Sequence, residues 1–179
     1  MIFETERLTV RLLTPEDLIP FHEMQGNKNV MRYTDSPAKS FEEDKKDLEE
    51  VLALYSTRDN DFWVWAIERK SDQAFIGTCA FVKSEPDETG NMEDEIGFRF
   101  LEKYWRNGYG KEILPALLYH GFSAMGIKEI IAEVDERNIG SIKIIERCMK
   151  FERSYFNEKD QCTDRLYRIK RSEFKNLQR

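Results

Sequence analysis

The stretch with the clearest capacity for chemistry is Trp105–Glu112, W-R-N-G-Y-G-K-E, where Gly108 and Gly110 stand one residue apart between Arg106 and Lys111. A strand-like run, D-E-I-G-F-R-F-L, leads into it. Leu114, Leu117, Leu118, Phe122 and Met125 then follow at helical spacing. Backbone N–H groups at such a helix start lack intrahelical partners, and the helix dipole adds partial positive charge. Glycine removes the Cβ that would keep an anion off the backbone. The combination suits a pyrophosphate, yet a tight corner with no ligand would use the same two glycines, so spacing alone leaves both readings open. Two familiar phosphate loops are excluded. Glu112 follows Gly110-Lys111 where a Walker loop needs Ser or Thr, and Ile113 stands where a dinucleotide fingerprint needs a third glycine. ATP and NAD are both disfavoured.

Other reactive side chains are sparse. Cys79, Cys148 and Cys162 form no C-x-x-C pair, and His22 and His120 are the two histidines, so a disulfide framework or a structural zinc site is not expected. Cys148 shares an apolar helix face with Ile144 and Ile145 and reads as a core residue, with no His or Asn nearby in sequence to activate it. The N-terminus M-I-F-E-T-E-R has no apolar signal core, and no apolar run approaches a membrane span; a reducing cytoplasm is the expected location. A net charge of −6 argues against a broad nucleic-acid surface and is compatible with a cationic substrate such as an amine.

The loop needs a scaffold, and the 179 residues suffice for one domain, with a core over about 3–169. T-E-R-L-T-V-R-L-L reads as a strand with Leu8, Val10 and Leu12 on one face. Thr14, Pro15 and the acids after them open a helix running to about Gly26, and Ser40 with Glu43 has capping-box spacing for a second. F-W-V-W-A-I-E-R, A-F-I-G-T-C-A-F-V and D-E-I-G-F-R-F-L read as three strands. The helix after the glycine loop contains Pro115, where a bend is expected. K-E-I-I-A-E-V is a buried strand, R-N-I-G-S-I-K-I-I-E-R-C-M a helix, and F-E-R-S-Y-F-N and C-T-D-R-L-Y-R-I are closing strands. The order β-α-α-β-β-β-α-β-α-β-β predicts an α+β domain: a mixed, twisted sheet of about six to seven strands flanked by about four helices.

At this point the chain resembles a known family. E-I-G-F-R-F-L-E-K-Y-W-R-N-G-Y-G-K-E followed by A-E-V-D-E-R-N-I-G-S-I-K-I-I-E-R is similar to the central motif of the GNAT superfamily of acetyl-CoA-dependent N-acetyltransferases. E-T-E-R-L-T-V-R-L-L-T-P-E-D and W-A-I-E…I-G-T resemble its ribosomal-protein-alanine branch, in which Trp often stands where others carry Arg or Gln, as Trp105 does here. The resemblance implies that the loop, Arg106, Asn107, Gly108, Tyr109, Gly110 and Lys111, seats the pyrophosphate of acetyl-CoA through backbone N–H groups. Side-chain contacts from Arg106 and Lys111 stand beside a reading of them as solvated charge. Free backbone groups of a splayed strand near Phe98, Phe100 and Leu101 would pair with the pantetheine arm, and one would stabilise the oxyanion.

The resemblance also implies direct attack by a primary amine in a ternary complex. An acceptor of the amine proton is then needed. Glu95 is the candidate base, with Glu93 in reserve on the same strand face; a solvent-facing strand end is the alternative for both. Asn138 would contact the pantetheine amides. Ile145 stands where many relatives carry a tyrosine acid, so the Ser141 hydroxyl is the candidate donor to the departing sulfur. Asn138 and Ser141 also suit a plain helix cap. C-M-K-F replaces the family's G-F or G-M, and a non-catalytic acyl-CoA-binding or regulatory module is the alternative function. Implied acceptors are a protein N-terminus, a polyamine, an aminoglycoside or another small amine. They would be bordered by the first two helices and the loop at 84–91, with Trp63, Trp65, Tyr33 and Phe41 able to line that side. No metal is implied, and the resemblance leaves room for a homodimer.

Overall fold

The computed structural model describes residues 1–34, 36–58, 60–86 and 89–177. Its elements are β1 (Phe3–Glu4), β2 (Leu8–Leu12), α1 (Leu18–Gln25), α2 (Phe41–Leu54), β3 (Trp63–Arg69), β4 (Ala74–Lys83), β5 (Asp94–Phe100), α3 (Tyr109–Ser123), β6 (Glu129–Asp135), α4 (Ile139–Ile145), β7 (Lys150–Asn157), β8 (Cys162–Lys170) and α5 (Arg171–Leu177). The α+β class holds. Among the described residues there are eight strands and five α-helices, where about six to seven strands and about four helices were expected. The additions are β1, two residues long and too short to show a period, and α5 at the C-terminus.

Two compact units form along the chain: Met1–Val82 with Gly97–Tyr109, and Lys83–Ile96 with Gly110–Arg179. In the first, β1 to β4 pair antiparallel in sequence order, in registers that include Phe3↔Val10, Val10↔Ile67 and Trp65↔Cys79. Leu8 and Val10 are fully buried as their alternation predicts, whereas Leu12 at the strand end is exposed. The expected first helix is a 3-10 turn, Pro15–Asp17, followed by α1; the Thr14 N–H donates to Asp17 Oδ2 at 2.9 Å. Ser40 forms its capping box on α2, donating its N–H to Glu43 Oε2 at 2.8 Å, which is worth about 1 kcal/mol. Phe21 and Met24 of α1 and Leu48 and Val51 of α2 enter one core with Leu13, Ala66 and Phe75. Burying each such side chain stabilises by about 1.5–3 kcal/mol. Gly77 on β4 is required as glycine, since a Cβ there would lie 2.1 Å from the Arg99 carbonyl oxygen.

In the second unit, the start of β5 pairs parallel to β6 at Glu95↔Ile131, a ladder of one pair among the described residues. β6 pairs antiparallel with β8, and β8 with β7. Helix α3 runs unbroken through Pro115, which removes the N–H that the Lys111 carbonyl would accept. Ile113, Leu114, Leu117, Leu118 and Phe122 of α3 are buried, and the left-handed Gly126 (φ +75°) closes the segment. Met125 falls beyond the helix end.

Candidate functional site

The loop owes its shape to its own residues. Arg106 (φ +62°) and Gly108 (φ +81°) both take the left-handed conformation on either side of Asn107. That conformation costs a non-glycine residue about 1–2 kcal/mol, a strain commonly found at ligand sites. Asn107 Nδ2 donates to the carbonyls of Tyr104 (3.1 Å) and Trp105 (3.0 Å), which tightens the turn. Trp105 Nε1 donates to the Phe100 carbonyl at 2.9 Å, so this tryptophan braces the loop against the end of β5. Tyr109 is buried and lies 6.3 Å, centroid to centroid, from Phe100, whose ring tilts against Phe98 at 6.1 Å. From Gly110 the chain continues as α3, so unpaired helix-start amides do follow the turn.

Two arginines that the motif does not contain also reach this loop. Arg7, in the turn between β1 and β2, donates Nη1 to the Asn107 carbonyl at 3.1 Å and places its guanidinium 4.7 Å from the centre of the Tyr109 ring. Arg69 at the end of β3 stacks on Tyr104 at 4.9 Å. Asp72 first, and the Tyr109 hydroxyl second, hold its guanidinium firmly protonated. Neither was legible: Arg7 and Asn107 lie 100 residues apart.

The backbone near the end of β5 is partly engaged. The Phe100 carbonyl accepts from Trp105, and the Leu101 N–H donates to the Ile76 carbonyl at 3.0 Å. Phe100 and Leu101 are buried and Phe98 is half-buried. At the start of α4, Asn138 Oδ1 accepts the Ser141 N–H at 3.1 Å, the capping geometry that the sequence left open beside a ligand role.

The carboxylates are set by strand register. Glu95 is half-buried on β5 opposite Ile131 of β6. Glu133 lies two residues further along the same face of β6, opposite Leu166 of β8; Arg153 of β7 also faces Leu166, and Tyr155 faces Asp164. The Tyr155 hydroxyl donates to Glu133. Glu133 is exposed on the face of β6, and partial desolvation by its neighbours still raises its carboxyl above the ordinary glutamate value, with the tyrosine hydrogen bond offsetting this in part. Burial first, and Glu133 second, raise the Tyr155 phenol well above its ordinary value, so it stays protonated and donating. Glu93, the reserve base, is held by the Arg168 guanidinium, which also grips Glu129 and Glu152. The Glu93 oxygens are therefore occupied by arginine contacts. Glu133 carries no role in the sequence reading, although it is the one acid inside the apolar run I-I-A-E-V.

The three cysteines are free thiols, and burial raises all three: Cys79 strongly, Cys162 to about 11, and Cys148 upward. None has the lowered value of a nucleophilic thiolate. Trp65 is buried against Phe81 and Trp63, in the core role weighed for it, while Trp63 and Tyr33 are half-buried and Phe41 is exposed. Of the loop at 84–91, residues 87 and 88 lie outside the described residues. No group of three or more His, Cys, Asp or Glu among the described residues could hold a metal ion, and no helix is long and apolar enough to cross a membrane.

A fold of this order with a glycine loop at the mouth of α3 is that of an acyltransferase domain, and comparison with known proteins identifies it. The acetyltransferase (GNAT) domain family matches residues 7–149, and the chain belongs to that family. It is 30% identical over 145 residues to an uncharacterized N-acetyltransferase, YoaA, of Bacillus subtilis, covering 80% of this chain and 79% of that one. Among solved structures it shares the fold of the ribosomal L7/L12 α-N-protein acetyltransferase RimL in complex with coenzyme A (TM-score 0.78, 18% identity, 94% of this chain and 97% of that one). It also shares that of the Vibrio cholerae spermidine N-acetyltransferase in complex with coenzyme A and spermine (TM-score 0.77, 20% identity, 95% and 99%).

Proposed function

We propose that this protein transfers the acetyl group of acetyl-CoA to a primary amine by direct attack in a ternary complex. The observation that carries the reading is the strained, main-chain-lined loop at 105–111 within a chain of the GNAT family. A pyrophosphate fits the space left by the missing Cβ of Gly108 and the amides of Arg106 to Lys111. Acetyl-CoA supplies the activated thioester, and this chain orients it. Pairing with the pantetheine arm is assigned to the backbone around Phe98, because the Phe100 carbonyl and the Leu101 N–H have internal partners. Asn138 contacts the amides, and the Ser141 hydroxyl donates a hydrogen bond to the departing sulfur.

Amine attack requires loss of a proton, and Glu95 and Glu133 share the strand face that takes it. Glu95 is the candidate base, and Glu133 is a second candidate on that face, because its carboxyl is raised above the ordinary glutamate value, the direction that favours general-base catalysis near neutral pH. Glu95 lies beside it and helps to attract the ammonium form of the substrate. A thiol-acetyl intermediate is disfavoured by the three raised thiols. The acceptor is a protein N-terminus or a small amine such as a polyamine or aminoglycoside. The solved relatives, one named for a ribosomal protein and one for spermidine, support both classes. Three free cysteines fit a reducing cytoplasm.

The test is acetyl transfer across a panel of N-terminal peptides, polyamines and aminoglycosides, beside calorimetric titration with coenzyme A. Turnover of any amine with acetyl-CoA supports the reading. Tight coenzyme A binding with no turnover on the whole panel would establish the non-catalytic module instead.

A further inference from the structure

We propose that Arg168 of β8 is a positioning residue for acetyl transfer, holding the start of β5 through Glu93 so that Glu95 keeps its place beside β6. The assignment rests on the reading of Glu95 as the proton acceptor. Among the described residues β5 is attached to β6 by a parallel ladder of one pair, Glu95↔Ile131. A strand fixed at one pair pivots there unless something else holds it, and the Glu95 side chain turns with it. Ile131 is also the partner of Arg168 in the antiparallel pairing of β6 with β8, so Glu95, Ile131 and Arg168 form one row across three strands, on one face of the sheet. From that row the guanidinium reaches back to Glu93, two residues before Glu95. Nη1 donates to Oε1, and Nη2 donates to Oε2 at 3.1 Å. Such a fork fixes orientation as well as distance, and a lysine cannot reproduce it.

The same guanidinium donates Nη1 to Glu129 Oε1 at 2.6 Å and Nη2 to Glu152 Oε1 at 3.3 Å, with Nε on Glu152 Oε2. The residue before β5, the first residue of β6 and the third of β7 thus each give a carboxylate to one side chain of β8. These acids, Glu93 first and Glu152 second, hold the guanidinium firmly protonated. The Arg168 side chain is 20% exposed, so solvent screens its contacts less than those of a surface pair. Main-chain bonds fix Glu93 from its other side: the Ser84 N–H donates to the Glu93 carbonyl and the Glu93 N–H to Ser84 Oγ, both at 2.9 Å. Lys83 Nζ adds a contact to Asp94 Oδ1 at 2.8 Å. The backbone at Glu93 is therefore set by Ser84 and its side chain by Arg168, and Glu95, one strand repeat further on, inherits both restraints. Glu152 belongs to β7, and its removal leaves the fork on Glu93 in place.

The test measures thermal unfolding, kcat, and KM for acetyl-CoA in full-length protein, with spermine or an N-terminal peptide as acceptor, whichever the wild type acetylates faster. The variants are Glu93→Gln, Arg168→Gln, Arg168→Lys, the Glu93→Gln/Arg168→Gln pair, Glu152→Gln and Glu95→Gln. Loss of the fork, by Glu93→Gln or Arg168→Gln, should lower kcat about tenfold, since small misplacement of a reacting group costs up to about a hundredfold. KM for acetyl-CoA should stay nearly unchanged. Arg168→Lys keeps the charge without the fork and should fall between. The paired variant should be no slower than the worse single one, because two partners of one contact are not additive. Glu152→Gln should lose stability like Glu93→Gln and keep wild-type kcat. Where Arg168→Gln does not fold, Glu93→Gln and Glu152→Gln decide the question. Unchanged kcat in Glu93→Gln overturns this assignment alone and leaves Arg168 as a structural tie. So do losses that multiply in the paired variant, which would make Glu93 act by itself. An equal loss of kcat in Glu152→Gln overturns it too, as a general loosening of the sheet. Unchanged kcat in Glu95→Gln, or a wild type that acetylates neither acceptor, overturns the reading beneath and this assignment with it.

Discussion

The glycine loop and the acid-bearing face of β5 to β8 are made of different materials. In the loop, the surface proposed to hold the cofactor is main chain. Arg106 and Gly108 adopt left-handed backbone within three residues of each other, and Asn107 and Trp105 fasten local carbonyls. On the acid face, the groups proposed to handle the proton are side chains drawn from separate strands. Glu95, Glu133 and Tyr155 meet only because β5, β6, β8 and β7 pair in one register. A main-chain site is sensitive to an added Cβ and tolerant of most side-chain chemistry. A register-built site is the reverse: a change of one atom from oxygen to nitrogen abolishes proton transfer and leaves the backbone alone.

This contrast sets the order of expected effects. The largest is Glu133→Gln, which should lower kcat about a thousandfold, within the range of general-base contributions, with the Kd for coenzyme A unchanged. Glu133 must be ionised to accept a proton, so wild-type kcat should fall as pH drops through its raised value. The acid limb of the pH–rate profile then lies above the ordinary glutamate range. Near-normal turnover in this variant would leave Glu95 as the base, and Glu95→Gln would then show the loss. Next comes Gly108→Val, which forces a β-branched residue to φ +81° and fills the opening beside Arg7. Coenzyme A affinity should drop about a hundredfold, roughly the combined loss of two charge-assisted contacts, while kcat at saturation holds. Calorimetry showing wild-type affinity would remove the loop from cofactor binding.

Smaller effects test the frame that supports the acid face. The buried Asp135 accepts from the Arg137 N–H at 2.8 Å and from its guanidinium Nε at 2.9 Å, and Arg137 is the main cause of its lowered carboxyl value. A lowered folded-state value means that this contribution is fully present above the unfolded-state aspartate range and is lost as pH falls through the folded value. Asp135→Asn should cost about 1–2 kcal/mol at neutral pH, with the two proteins converging in acid during denaturant titration. A constant difference at every pH would show that charge plays no part. The smallest effect belongs to Asn138→Ala, about 1 kcal/mol for a lost N-cap on the short helix α4. If Asn138 also serves the cofactor, KM for acetyl-CoA rises as well; a stability loss alone would leave it as a cap.

Elements governed by near neighbours were legible in advance. The Ser40–Glu43 box starts α2 where its spacing predicts, and the apolar spacing after Gly110 gives the buried face of α3. β1 escaped because two residues carry no period; its strand state depends on pairing with Thr9 and Val10. Glu93 read from sequence as a spare base, yet Arg168, 75 residues away, binds it. Glu133 was passed over for the opposite reason: its partner Tyr155 lies on another strand, and only the β8 register brings the two together.

The glycine spacing, the caps and the alternation of apolar residues together specified an α+β chain with an anion-ready loop at a helix start, because each depends on contacts within a few residues. The Arg7 contact with Asn107, the internal partners of Phe100 and Leu101, and the approach of Tyr155 to Glu133 were decided by tertiary structure. Burial, register and hydrogen-bond partners across 25 to 100 residues are properties of the packed chain, and no local pattern encodes them.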